Sequence, residues 1–218
     1  MRKIINIAPE GYRIIFYTAL IWVLAYLLSI YFEYSLFQLA SVYLFYILLI
    51  VCYFFRDPIR DIIYNNENFL SPADGKIVSI KPFEDKDLGK SIKIAIFLSF
   101  FNVHRQWIPL NAKVIDSNYN PGRFFGAFKD KASEKNEQTS ILFSDINKNE
   151  FKIKQIAGFV ARRIVNHMNP NLDVWQGQKL GFIKFGSRVE IIVPENFEIR
   201  VKKGMKVKGC KTVIGKFH

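Results

Sequence analysis

The 218-residue sequence predicts a mainly β protein, a sandwich or a distorted barrel, behind an N-terminal transmembrane helical hairpin. Three observations lead there. From Ile14 to Phe55 the only formal charge is Glu33. After residue 60, short runs of β type recur between Gly, Pro, Asn and Asp. Positive charge collects at the C-terminal end: residues 151–218 carry 14 Lys or Arg against 4 Asp or Glu, while residues 1–150 carry 17 against 15.

The hairpin comes first. Ile14–Phe32 and Leu36–Phe55 are each about as long as the ~20 residues needed to cross a hydrocarbon core. The polar tip Glu33-Tyr34-Ser35 separates them, and Tyr and Trp near the ends suit the headgroup region. Arg2, Lys3 and Arg13 precede the first span and Arg56 and Arg60 follow the second, so the positive-inside bias predicts that both ends lie in the cytoplasm. A cleaved signal peptide fits less well, because the first apolar run exceeds a signal core of ~7 to 15 residues and a second run follows. Asp57-Pro58 disfavours a continuing helix. The chain therefore divides near residue 60, into a membrane anchor (1–60) and a cytoplasmic β-rich domain (61–218).

The strands follow in order: 76–80, 91–100, 112–119, 139–145, 150–158, 179–185, 188–193 and 198–204. In the second, Ile92, Ile94 and Ile96 alternate with Ser91, Lys93 and Ala95, the period of a strand with one buried face. Eight such runs separated by turn signals point to a sandwich or barrel. Residues 158–168, "GFVARRIVNHM", read as a short helix.

Composition excludes several chemistries. Cys52 and Cys210 are too far apart for a C-x-x-C redox pair, and His104, His167 and His218 are too scattered for a zinc site. A basic face next to a membrane anchor is drawn to anionic headgroups, about 1 kcal/mol per Lys or Arg near the surface. No nucleic-acid module accompanies that charge.

The interruption of a strand by Gly186-Ser187 in "IKFGSRVEI" would, alone, be a bulge or a close backbone approach. It stands, however, with "SPADGK" (71–76), "FFNVHRQWIP" (100–109), "KASEKNEQTS" (131–140) and "QIAGFVARRIV" (155–165). Taken in this order, these stretches resemble the phosphatidylserine decarboxylase family, in particular its short, single-His branch. The resemblance runs from "FFRDPIR" to the C-terminus, and the hairpin sits where that family has its own.

The resemblance implies a catalytic β domain that cuts itself between residues 186 and 187. The Ser187 hydroxyl attacks the Gly186 carbonyl, and elimination leaves a pyruvoyl group at position 187 as the cofactor, with no metal or nucleotide. Fragments 1–186 and 187–218 then stay associated. The absence of a Cβ at Gly186 eases the attack, His104 is the candidate base, and Asp74 is the candidate to orient its imidazole. The implied substrate is a membrane phospholipid, phosphatidylserine, converted to phosphatidylethanolamine at the cytoplasmic side of the cell membrane. Arg162, Arg163 and Arg188 are candidates for its phosphate or carboxylate. Longer members carry a second His where this chain has Trp107, which leaves His104 as sole base, and His167 matches no family position and reads as structural.

Other functions compatible with these residues are a pyruvoyl decarboxylase of a soluble amino acid, a non-catalytic membrane-tethered lipid-binding β domain, and a membrane serine hydrolase. The first retains the Gly-Ser logic without needing an anchor. The last two predict one uncut chain.

Overall fold

A computed structural model describes residues 5–217, apart from 33–34, 63, 66, 123–135, 159–162 and 185–186. Two compact units emerge, residues 1–59 and 60–218.

In the first unit a short strand, β1 (Ile5–Ile7), leads through a 3-10 turn into helices α1 (Tyr12–Phe32) and α2 (Ser35–Phe54), and β2 (Arg56–Pro58) closes it. Strands β1 and β2 pair antiparallel, Asn6 opposite Asp57, so the entry to α1 and the exit from α2 lie at the same end of the hairpin. Gly11 is required there, since a Cβ on it would run into the Phe55 ring. The helices touch through Trp22 and Phe45, whose ring centroids are 5.4 Å apart. Many of their other apolar side chains are exposed, Phe16 and Leu36 among them. Both helices are long and apolar enough to cross a membrane, and a helix apolar all round with its side chains uncovered suits lipid. Two hydroxyls in that setting are satisfied within the helix: Thr18 donates to the Ile14 carbonyl and Ser29 to that of Tyr26.

The second unit is built of strands: β3 (Phe69–Leu70), β4 (Gly75–Asp85), β5 (Gly89–Leu98), β6 (Arg105–Trp107), β7 (Ala112–Asn120), β8 (Gln138–Asp145), β9 (Glu150–Ala157), β10 (Ile164–Asn166), β11 (Asp173–Val174), β12 (Lys179–Ile183), β13 (Ser187–Pro194), β14 (Glu198–Ile199), β15 (Lys206–Val207) and β16 (Val213–Lys216). Eight of them form one antiparallel, curled sheet in the order β11-β7-β8-β9-β13-β5-β4-β15. Two three-stranded sheets, β10-β12-β6 and β14-β16-β3, complete the unit. The fold is mainly β, as the alternating runs predict. The helix expected over 158–168 is different in its described part: Ile164–Asn166 is a strand paired with Gly181–Ile183, and residues 159–162 lie outside the described residues.

Alternation decides which side chains enter the core. Ile94, Ile96 and Leu98 of β5, Val189, Ile191 and Val193 of β13, and Phe151, Ile153 and Ala157 of β9 share one buried face. Phe69 from the small sheet closes on it edge-to-face with Phe151 at 5.0 Å, and Phe143 stacks on Phe151 at the same spacing. Each such side chain contributes roughly 1.5–3 kcal/mol by leaving water. Strand β13 is central, bonded to β5 on one side and β9 on the other.

Candidate active site

Ser187 is the first residue of β13. It lies directly opposite Leu98 of β5 and Ala157 of β9, on the core face, and is fully buried. Among the described residues nothing hydrogen-bonds its Oγ. A buried hydroxyl without a partner loses its hydration with no compensation, so its place at the head of a central strand asks for a chemical reason.

His104 is carried to the same strand end by a turn. Strand β5 stops at Leu98, opposite Ser187, and the chain then reverses through Ser99–Asn102. Asn102 Oδ1 holds the reversal by accepting from the Ser99 N–H at 2.9 Å and the Ser99 hydroxyl at 2.8 Å. Two residues later the buried His104 ring places Nδ1 3.0 Å from the Asn102 carbonyl. A carbonyl can only accept, so Nδ1 carries the proton and Nε2 is the basic nitrogen of the neutral ring. The His104 carbonyl accepts from the Ile183 N–H at 3.3 Å, which ties it to β12, the strand that runs towards Ser187.

The partner expected to orient that imidazole is Asp74. In the structure the Asn102 carbonyl occupies Nδ1, and the Asp74 carboxylate is engaged elsewhere. It accepts both Arg60 Nη atoms at 2.7 Å and the Gly209 N–H at 2.8 Å. Arg60 Nη1 also donates to the Gly209 carbonyl. The guanidinium lies 4.2 Å from the centre of the Trp107 ring, a desolvated cation–π contact. A Cβ on Gly209 would sit 2.5 Å from that ring. Trp107 therefore packs against the salt bridge of Asp74.

Arg188 follows Ser187 by one position and so projects from the opposite face of β13. It is only 2% exposed and its Nη2 is 2.9 Å from Glu190, itself 1% exposed. Consecutive residues of β13 from Ser187 to Val193 are buried, so both of its faces are covered here. Arg163 is exposed, and its carbonyl accepts from the Lys184 N–H at 3.2 Å. Arg162 and Gly186 lie outside the described residues, as do 131–135 of the "KASEKNEQTS" stretch. His167 is exposed, and its N–H donates to the Leu180 carbonyl.

Two glutamines that lie within the stretches 100–109 and 155–165, but are given no role by the sequence reading, belong to the site. The fully buried Gln155 donates from Nε2 to Gln106 Oε1 at 2.9 Å, and Gln106 Nε2 donates to the His104 carbonyl at 2.6 Å. Gln155 Oε1 has no partner among the described residues. A signal does exist: along β9, Phe151, Ile153, Gln155 and Ala157 share the buried phase, and Gln155 is the one polar side chain on it.

A profile of the family described as phosphatidylserine decarboxylase matches residues 47–215. Three relatives carry the name phosphatidylserine decarboxylase proenzyme. The protein from Cytophaga hutchinsonii is 38% identical over 218 residues, covering 98% of this chain and 99% of its own. That from Amoebophilus asiaticus is 44% identical over 168 residues, covering 76% of this chain and 75% of its own. That from Chlorobium limicola is 38% identical over 214 residues, covering 97% of this chain and 100% of its own.

Proposed function

Because the chain belongs to the phosphatidylserine decarboxylase family, we propose that it is made as a proenzyme, cuts itself between Gly186 and Ser187, and converts phosphatidylserine to phosphatidylethanolamine. The observation that carries this reading is the buried Ser187 hydroxyl, without a hydrogen-bond partner among the described residues, at the head of a central strand.

In the first step His104 Nε2 takes the Ser187 proton, Oγ bonds to the Gly186 carbonyl carbon, and the C–N bond breaks as His104 returns the proton to the leaving nitrogen, giving an ester and a free α-amine on residue 187. Removal of the Ser187 α-proton then breaks the Cβ–Oγ bond, leaving a carboxylate on Gly186 and a dehydroalanine at 187. Water hydrolyses the latter to a ketone and ammonia. The Asn102 carbonyl keeps the proton on Nδ1, so Nε2 stays available as the base. Asp74, paired with Arg60, lines the cavity that Asn102 also borders. Burial of Ser187 excludes bulk water from the attack.

The pyruvoyl carbonyl at position 187 supplies the electron sink for loss of carbon dioxide from the serine headgroup. The residues fit the group: a fully buried position with room for one side chain and no competing hydrogen bond among the described residues. Fragments 1–186 and 187–218 stay together, because release of the smaller one would strip β13 from both β5 and β9 and remove β16 from β3. The apolar hairpin holds the domain at the bilayer, with the basic C-terminal third on the cytoplasmic side, and exposed Arg163 remains available to headgroups.

Intact-mass measurement and N-terminal sequencing of the purified protein test this. Two pieces are expected, the smaller beginning at position 187 and blocked to Edman degradation, and Ser187→Ala should leave one chain of 25.4 kDa. An active protein that is a single chain with a free Ser187 overturns it.

A further inference from the structure

The edge of the large sheet holds a like-charged pair. In the β4–β15 ladder Lys206 lies directly opposite Lys76. Side chains so placed are neighbours on one face, and like charges there repel. Lys208 lines the same opening, a cavity of about 580 Å³ whose wall also includes Phe97, Ser99 and Asn102. None of the three lysines has an ion-pair partner among the described residues. The acid in the wall, Asp74, is matched by Arg60. The opening thus carries three uncompensated positive charges and presents a site for an anion.

Its position relates it to the reaction centre. Phe97, opposite Lys76, belongs to the face away from Ser187, but the cavity reaches round the strand end to Ser99 and Asn102, the turn whose carbonyl fixes His104. Strand β4 is two places from β13 in the sheet, about 10 Å. A headgroup whose amino acid sits at position 187 carries its phosphodiester several bonds away, and the four-carbon stems of lysine span the remainder.

We propose that Lys76, Lys206 and Lys208 bind the phosphodiester of the serine lipid and so set which headgroups enter. The inference rests on the decarboxylase reading for the identity of the lipid, and on the cavity alone for the anion.

The test replaces Lys76, Lys206 and Lys208 singly and together with Gln, with Lys202→Gln/Lys203→Gln as the control. The control removes charge from exposed residues of the same segment that do not line the cavity. With monomeric short-chain phosphatidylserine at fixed ionic strength, each cavity variant should raise KM about tenfold, the scale of a lost charge-assisted contact. Self-cleavage should still go to completion with kcat within about twofold, Lys206→Arg should keep the parent KM, and the control should match the parent. Unchanged KM in the cavity variants, or an equal rise in the control, overturns the proposal.

Calorimetric titration of glycerophosphoserine into uncut Ser187→Ala reads the site without any turnover. Binding there should disappear in the triple Gln variant and should exceed that of inorganic phosphate; absence of binding, or equal affinity for inorganic phosphate, overturns headgroup recognition. Failure of the decarboxylase reading shows differently, as a parent protein that is uncut and inert.

Discussion

Arg60 holds Asp74 by two parallel hydrogen bonds of 2.7 Å, and both side chains are largely buried, 5% and 13% exposed. Fork-to-carboxylate pairing of this kind is among the strongest polar contacts available to a protein. It joins the domain's first residues to the "SPADGK" segment and, through Gly209, to the C-terminal loop.

Removing one partner leaves the other charge stranded. Arg60→Met should cost about 3 kcal/mol of stability, read as a lowered midpoint in denaturant. Asp74→Asn keeps a hydrogen-bonding acceptor and should cost less. An Arg60→Met protein as stable as the parent would mean that Asp74 is solvated instead of clamped.

The glutamine pair behind His104 makes a second prediction. Gln155→Met preserves volume but leaves Gln106 Oε1 buried without its donor, a loss of about 1–3 kcal/mol. Self-cleavage should slow about tenfold as the His104 carbonyl loses its fixed neighbour. The readout is the fraction of uncut chain with time, and Gln155→Glu, which can no longer donate from that position when ionised, should show the same slowing.

At Trp107 the prediction is a coupling. Gly209→Ala drives a Cβ to 2.5 Å from the indole and should destabilise by about 1–3 kcal/mol. In a Trp107→Leu background the same change should cost little, because the obstructing ring is gone. Additive losses in the double-mutant cycle would place the clash elsewhere.

Cys210 provides a pH signature. Burial pushes its thiol up from 9.0 to about 12, with Arg60 pulling down and Asp74 pushing up. A folded value above the unfolded one means the contribution to stability is full below about 9 and fades as the pH rises towards 12. In a Cys52→Ser background, iodoacetamide at pH 8 should leave the native protein unlabelled and react on unfolding. Rapid labelling of native protein would contradict the burial.

On the outer sheet face, buried Lys152 binds Asp85 and Asp87. Burial raises the Asp85 carboxyl, but the hydrogen bonds from Lys152 and from the N–H groups of Asp87 and Leu88 outweigh it, and the net shift is downward from 3.8. Asp85 therefore stabilises the fold above that ordinary value, and its contribution is lost as the pH falls through the lowered one. Lys152→Met should cost about 3 kcal/mol at neutral pH and flatten the acid limb of a stability–pH curve. An unchanged acid limb would assign that sensitivity to other carboxylates.

Much of the site is legible in the amino-acid order. Ser187 and His104 stand out because their neighbours form a recognisable series of segments, and the strands show through the period-two alternation of Ile and Val. Residues 158–168 read as a helix because "RRIVNH" carries no strong alternation, whereas pairing with β12, a tertiary contact, makes Ile164–Asn166 extended. Gln155 is inconspicuous because a polar residue in a strand is informative only once its buried phase is known.

By itself the sequence determined the apolar hairpin, the longer strands and the residue types at the candidate site, since these depend on contiguous hydrophobicity and local order. The tertiary structure decided which charges meet. Asp74 answers to Arg60 and Gly209, Arg188 turns inward to Glu190, and Lys76 faces Lys206. Those pairings depend on strand order and register, quantities that emerge only when residues far apart in the chain are packed side by side.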